Sequence, residues 1–279
     1  MLDPVSAAWL AVAGVTLLGD PLLIGTVGVA AYLFGDRFPR GGLDRRQGAL
    51  LLAVIAGALA LIAALKTGLA ITRPGGAATL PGSDGMGRAV ESIYTWVVGP
   101  GGYAFPSGHA TGAAVGWIGL AWVLADDDRR PLVLAAGAIT AIAASRVALG
   151  VHRPLEVTVG IALGLVYLAV AIRVLRTPRR TFALAGAIGA GSPLLVELDT
   201  DGLLAAGLAL GGFLGWELTQ AGRPSYRRVA IATGGLLALT GLFTLQIGLS
   251  QVAVALVAAG GGFGIVVAPL VVGDSPKNE

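Results

Sequence analysis

The 279-residue chain contains two histidines, in a sequence that is 55% hydrophobic and only 13% charged. Three arrangements gather these polar residues: Lys66-x6-Arg73-Pro74, Pro106-Ser107-Gly108-His109 and Ser145-Arg146-x5-His152-x3-Glu156. Their shared chemistry is anion handling. Lysine and arginine at a membrane border bind phosphate, and arginine does so with a planar two-pronged fork. Pro106-Ser107-Gly108 reads as the opening of a helix whose unsatisfied N–H groups and dipole favour an anion, and glycine lets the backbone approach it closely. Two histidines next to such a cradle have the chemistry of a nucleophile and a general acid. Glu156 follows His152 by four residues, one helical turn away if Pro154 starts a helix. From there it would hold the imidazole in one tautomer and stabilise its cation.

The elements that must position these residues are membrane helices. A mean hydropathy of +0.81 and 44 glycines suit close helix packing in lipid. A bilayer core takes roughly 20 apolar residues per helix, and spans are expected near 21–36, 47–66, 107–125, 131–149, 154–172, 181–197, 202–219, 229–246 and 250–272. Residues 5–19 are apolar but short, and form either a tenth span or a helix lying at the interface. Asp20-Pro21 reads as the cap and first residue of the helix that follows. Gly160-x3-Gly164 and Gly207-x3-Gly211 have the spacing of packing faces. Of the 19 basic residues, fourteen (Arg37, Arg40, Arg45, Arg46, Arg129, Arg130, Arg173, Arg176, Arg179, Arg180, Arg223, Arg227, Arg228 and Lys277) fall on one side of this arrangement. Lys66, Arg73, Arg88, Arg146 and Arg153 fall on the other. The bias of positive charge towards the cytoplasm puts the three arrangements together on the non-cytoplasmic face and the C-terminus inside.

The sequence also excludes several classes. With no cysteine there is no disulfide framework, thiol nucleophile or cysteine metal site. The basic residues are scattered through short loops, with a net charge of only +3, and leave no nucleic-acid footprint. The N-terminus lacks the basic region of a cleaved signal peptide. Arg88 and Arg153 belong to none of the three arrangements and read as headgroup or surface residues.

The three arrangements, in this order, resemble the signature of the type 2 phosphatidic acid phosphatase superfamily, which includes lipid phosphate phosphatases, polyprenyl diphosphate phosphatases and vanadium haloperoxidases. The resemblance covers roughly residues 20–175. Together with the hydropathy reading it gives an all-α polytopic membrane bundle: a phosphatase core of about six helices within residues 1–175, and about four C-terminal spans in residues 176–279 that go beyond the family core. It implies that His152 attacks phosphorus to form a phosphohistidine and that His109 protonates the leaving oxygen. Lys66, Arg73, Ser107, Gly108 and Arg146 would hold the phosphoryl oxygens, with no metal and no cofactor. The partners expected are the bilayer and a membrane lipid phosphate, either a polyprenyl diphosphate or of the phosphatidic-acid type. The family usually carries aspartate where this chain has Glu156, which keeps the carboxylate on a stem one methylene longer. The competing expectation is an anionic-lipid transporter or flippase that binds headgroups at an outward basic site without cleaving them; two histidines with a partner carboxylate favour cleavage.

Overall fold

The computed structural model describes residues 3–37, 42–75, 77, 80–99, 101–125, 128–195, 200–220 and 249–272. It is an all-α bundle of α1 (Pro4–Leu17), α2 (Pro21–Phe34), α3 (Arg45–Leu69), α4 (Arg88–Val98), α5 (Gly108–Leu124), α6 (Arg130–Ala148), α7 (Pro154–Val170), α8 (Pro178–Leu195), α9 (Thr200–Gln220) and α10 (Leu249–Val272). The helices begin where local chemistry dictates. The Asp3 carboxylate accepts from the amides of Val5 and Ser6 ahead of α1, and the Asp20 carboxylate accepts from Leu22 N at 2.8 Å ahead of α2. At α3, Asp44 and Gln47 cap each other: Asp44 N donates to Gln47 Oε1 at 2.9 Å, and Gln47 N donates to Asp44 Oδ1 at 2.6 Å.

Among the described residues four helical stretches are long and apolar enough to cross a membrane: α3, α6, α7 with the stretch that follows it to Leu175, and α9. The apolar stretch 5–19, expected as a tenth span or an interfacial helix, falls in α1. Pro4–Leu17 and Pro21–Arg37 meet at a bend of 44° and together have the length of one broken span. Shorter apolar helices are α5 and the Ala253–Ala268 part of α10. The expected span 229–246 and the basic residues Arg40, Arg223, Arg227, Arg228 and Lys277 lie outside the described residues. Helix α4 adds an element that the hydropathy reading passed over.

The chain clusters into two compact units, Met1–Val27 with Leu65–Leu168, and Gly28–Ala64 with Ala169–Glu279. The first carries all three sequence arrangements. Its α5 and α7 touch through Gly160 and Gly164: a Cβ on Gly160 would stand 2.9 Å from the Ser107 carbonyl oxygen, and one on Gly164 would stand 2.7 Å from that of Thr111. Ala113, Ala114, Ile139 and Ile142 join α5 to α6. Ala13 of α1, Tyr94 and Val98 of α4, and Leu149 and Val151 form another cluster with Leu80 and Met86. In the second unit Gly207 and Gly211 of α9 lie against the backbone of α10 at Ala255 and Ala259. Tyr32, Phe182, Trp216 and Val266 belong to one buried cluster there, and the Tyr32 hydroxyl donates to the Val266 carbonyl at 2.7 Å. Both glycine pairs read from the sequence are thus packing faces, where a missing side chain lets backbones meet.

Candidate active site

Ser107 caps α5 with an extended backbone but makes no capping bond with its side chain. Its main chain is held at both ends: the amide donates to the Glu156 carbonyl at 3.2 Å, and the carbonyl accepts from the Thr111 amide and hydroxyl, each at 3.0 Å. The hydroxyl itself is wholly buried and without a hydrogen-bond partner among the described residues. The same is true of His109 Nε2, in the first turn of α5, and of Nε and Nη1 of Arg146, in the last turn of α6. Arg146 is only 2% exposed. Buried donors left unpaired are costly, and these converge from the ends of two helices that pack on each other. Unpaired guanidinium and hydroxyl groups of this kind suit an anion such as phosphate as a ligand.

His152 lies in the turn between α6 and α7 and is 4% exposed. Its Nδ1 is 2.9 Å from Oε2 of Glu156, in the first turn of α7. On the other side of the ring, Nε2 is 3.3 Å from Nη1 of Arg73. A guanidinium only donates, so Nε2 accepts and the ring proton sits on Nδ1, donated to Glu156. This assigns the tautomer from the donors around it, and it turns the Nε2 lone pair towards the cations. Burial first, and then Arg73, Arg146, Lys66 and His109, push the imidazole pKa down to about 2. His152 is therefore neutral at ordinary pH, which a nucleophile requires. Lys66, Arg73, Arg146 and His109 therefore all act electrostatically on His152.

Glu156 is 3% exposed and held at both oxygens. Besides His152 Nδ1, its Oε2 accepts from the Arg153 amide at 3.0 Å, and its Oε1 from Arg153 Nη1 at 3.4 Å. Arg153, read from the sequence as a headgroup or surface residue, is exposed and also reaches the acid. The signal was its position three residues ahead of Glu156, where a helix brings side chains together. The extra methylene of glutamate is accommodated within this i,i+4 geometry.

Arg73 differs from expectation in what it holds. Its Nε donates to Gly102 O at 3.2 Å, Nη2 to Gly101 O at 2.6 Å, and Nη1 to Val151 O at 2.9 Å as well as to His152. Four of the five N–H groups of a guanidinium are thus engaged, and one remains for a ligand. Burial lowers the Arg73 pKa, against the nearby Glu156 carboxylate, which raises it. Lys66 lies in the last turn of α3 and is itself engaged in an interaction. Among the described residues no cluster of three histidine, cysteine, aspartate or glutamate side chains offers a metal site.

Residues 47–180 match the family model described as the PAP2 superfamily. Neither the comparison with curated proteins nor that with solved structures finds a match.

Proposed function

Residues 47–180 match the PAP2 superfamily, which includes phosphatases, and from that premise we propose that the protein hydrolyses a membrane-borne lipid phosphomonoester or diphosphate through a phosphohistidine on His152. The observation that carries this reading is the orientation of His152. Its proton is committed to Glu156 at 2.9 Å, and its lone pair faces buried cations.

Phosphate oxygens would be met by Arg146, the Ser107 hydroxyl, the opening amide of α5 at Gly108, Lys66 and the remaining N–H of Arg73. Nε2 of His152 attacks phosphorus as the ester oxygen leaves, and His109 supplies the proton to that oxygen. Glu156 stabilises the imidazolium that develops. Water then attacks phosphorus, with His109 taking its proton, and the P–N bond breaks to release inorganic phosphate. Cations and helix N–H groups provide the charge stabilisation that phosphoryl transfer needs, so the reading includes no metal ion. The apolar helices suit an acyl or prenyl tail, and a polyprenyl diphosphate is the favoured substrate. A headgroup transporter would have no use for a neutral, oriented imidazole.

The test is a trapping experiment in detergent. Wild type incubated with a labelled lipid phosphate should yield an acid-labile phosphoenzyme, and His152→Ala neither phosphoenzyme nor turnover. A His152→Ala variant that still releases phosphate would overturn the assignment. Comparing isoprenoid diphosphates with glycerolipid phosphates identifies the lipid.

A further inference from the structure

The turn between α1 and α2 lies before the family-matched segment and touches both helices that bring donors to the cradle. A Cβ on Gly19 would stand 2.6 Å from Cγ2 of Ile142, 3.1 Å from the carbonyl oxygen of His109 and 3.3 Å from the His109 Cβ. Leu18, one residue earlier, accepts from Trp117 Nε1 at 2.8 Å, which fastens the turn to α5. Thr16 is wholly buried, and its hydroxyl is 2.7 Å from that of Ser145, the neighbour of Arg146. Ser145 donates its own proton to the Ile142 carbonyl at 2.7 Å, so the Thr16 proton goes to Ser145. The Asp20 carboxylate, at the end of the turn, acts through space on the Arg146 guanidinium.

We propose that the turn Thr16–Asp20 is a positioning element of the catalytic centre, in which Gly19 sets the place of His109 and Thr16 that of Arg146. A Cβ at Gly19 would overlap Ile142 Cγ2 of α6 and crowd the backbone and Cβ of His109. A methyl group there pushes the first turn of α5, with its imidazole, away from the leaving oxygen. Thr16 closes a hydrogen-bonded chain through Ser145 to Ile142 that locks the last turn of α6 and so fixes where Arg146 projects. The inference rests on the proposed role of His109 as general acid.

The test compares an alkyl phosphate, whose leaving group needs a proton, with p-nitrophenyl phosphate, whose leaving group does not, using full-length protein in detergent. His109→Ala fixes the scale: it should depress the alkyl ester selectively. Gly19→Ala should reproduce that selectivity, lowering kcat on the alkyl ester by at least about tenfold relative to p-nitrophenyl phosphate, a part of what a general acid contributes. Gly14→Ala, on the same helix with open space around it, should leave the ratio unchanged. Thr16→Val should weaken both esters alike, mainly in KM, and Thr16→Ser should restore them. Equal losses on the two esters in Gly19→Ala, with His109→Ala selective, would overturn the proposal and leave the assignment of His109 standing. No selectivity in His109→Ala would bring down that assignment and the Gly19 half of the proposal with it. If Gly19→Ala does not fold, the Thr16 pair decides: a Thr16→Val enzyme with wild-type kinetics sinks the proposal.

Discussion

His152 is a base kept from its proton. With its folded-state pKa pushed down to about 2 and an unfolded value near 6.5, typical of histidine, the unfolded chain binds a proton that the folded one refuses. The sign follows directly. Above pH 6.5 the residue is neutral in both states and has no effect; as pH falls below 6.5, stability is lost steadily. At roughly 1.4 kcal/mol per pH unit, one such group removes at most about 2 kcal/mol by pH 5. The apparent Tm of detergent-solubilised wild type should therefore fall further between pH 7.5 and 5 than that of His152→Gln, which cannot titrate. Parallel curves would mean that the folded protein protonates His152 freely. Most of the residues in this site were legible from sequence because polar side chains are so scarce in an apolar chain that their spacing stands out. What was not legible depended on contact. The place of Arg153 three residues ahead of Glu156 permits the contact without saying that the guanidinium takes it, and a serine at a helix start reads equally as a cap or as a ligand until the side chain is seen to make no cap.

At the scale of elements, catalysis depends on how closely α5 and α7 approach, since one brings Ser107 and His109 and the other Glu156. Gly160 and Gly164 permit that approach. Gly164→Leu must force its side chain against the Thr111 carbonyl and Ala114 Cβ, each within 3 Å of a would-be Cβ. It should cost about 1–3 kcal/mol by overpacking, together with most of the activity. Gly137→Leu, on α6 with nothing within 4 Å, should match wild type in both thermal unfolding and turnover; equal damage at the two sites would show that the glycine contact has no special role. The helix-length apolar runs foretold most boundaries to within three residues. Helix α4 escaped because its eleven residues include Arg88, Glu91, Ser92 and Thr95 and never form a long apolar window. The 44° bend escaped because Asp20-Pro21 announces where a helix starts and says nothing of the angle to the one before it.

For the whole molecule the prediction concerns sidedness. The uneven distribution of basic residues puts the loop after α3 outside and the end of α9 inside. The chain has no cysteine, so single cysteines report without background. Gly75→Cys should react with an impermeant thiol reagent on intact cells, and Gln220→Cys should react only after the membrane is permeabilised. The reverse pattern would put the catalytic centre on the cytoplasmic side. The long-range pairing behind this architecture was beyond reach of the sequence. Thr16 and Ser145 bond across 129 positions, and no local pattern in either helix marks the other as its partner.

The engagement of Arg73 by the carbonyls of Gly101, Gly102 and Val151 bears on how mutational data from this site should be read. Its lysine variant has one nitrogen to serve acceptors that three nitrogens now share, so two loops lose their tether before substrate arrives. An inactive Arg73 variant thus reports loop collapse as readily as a missing phosphate contact. Arg146 carries its buried guanidinium with two nitrogens unpaired among the described residues, and so it is the arginine whose replacement speaks about phosphate.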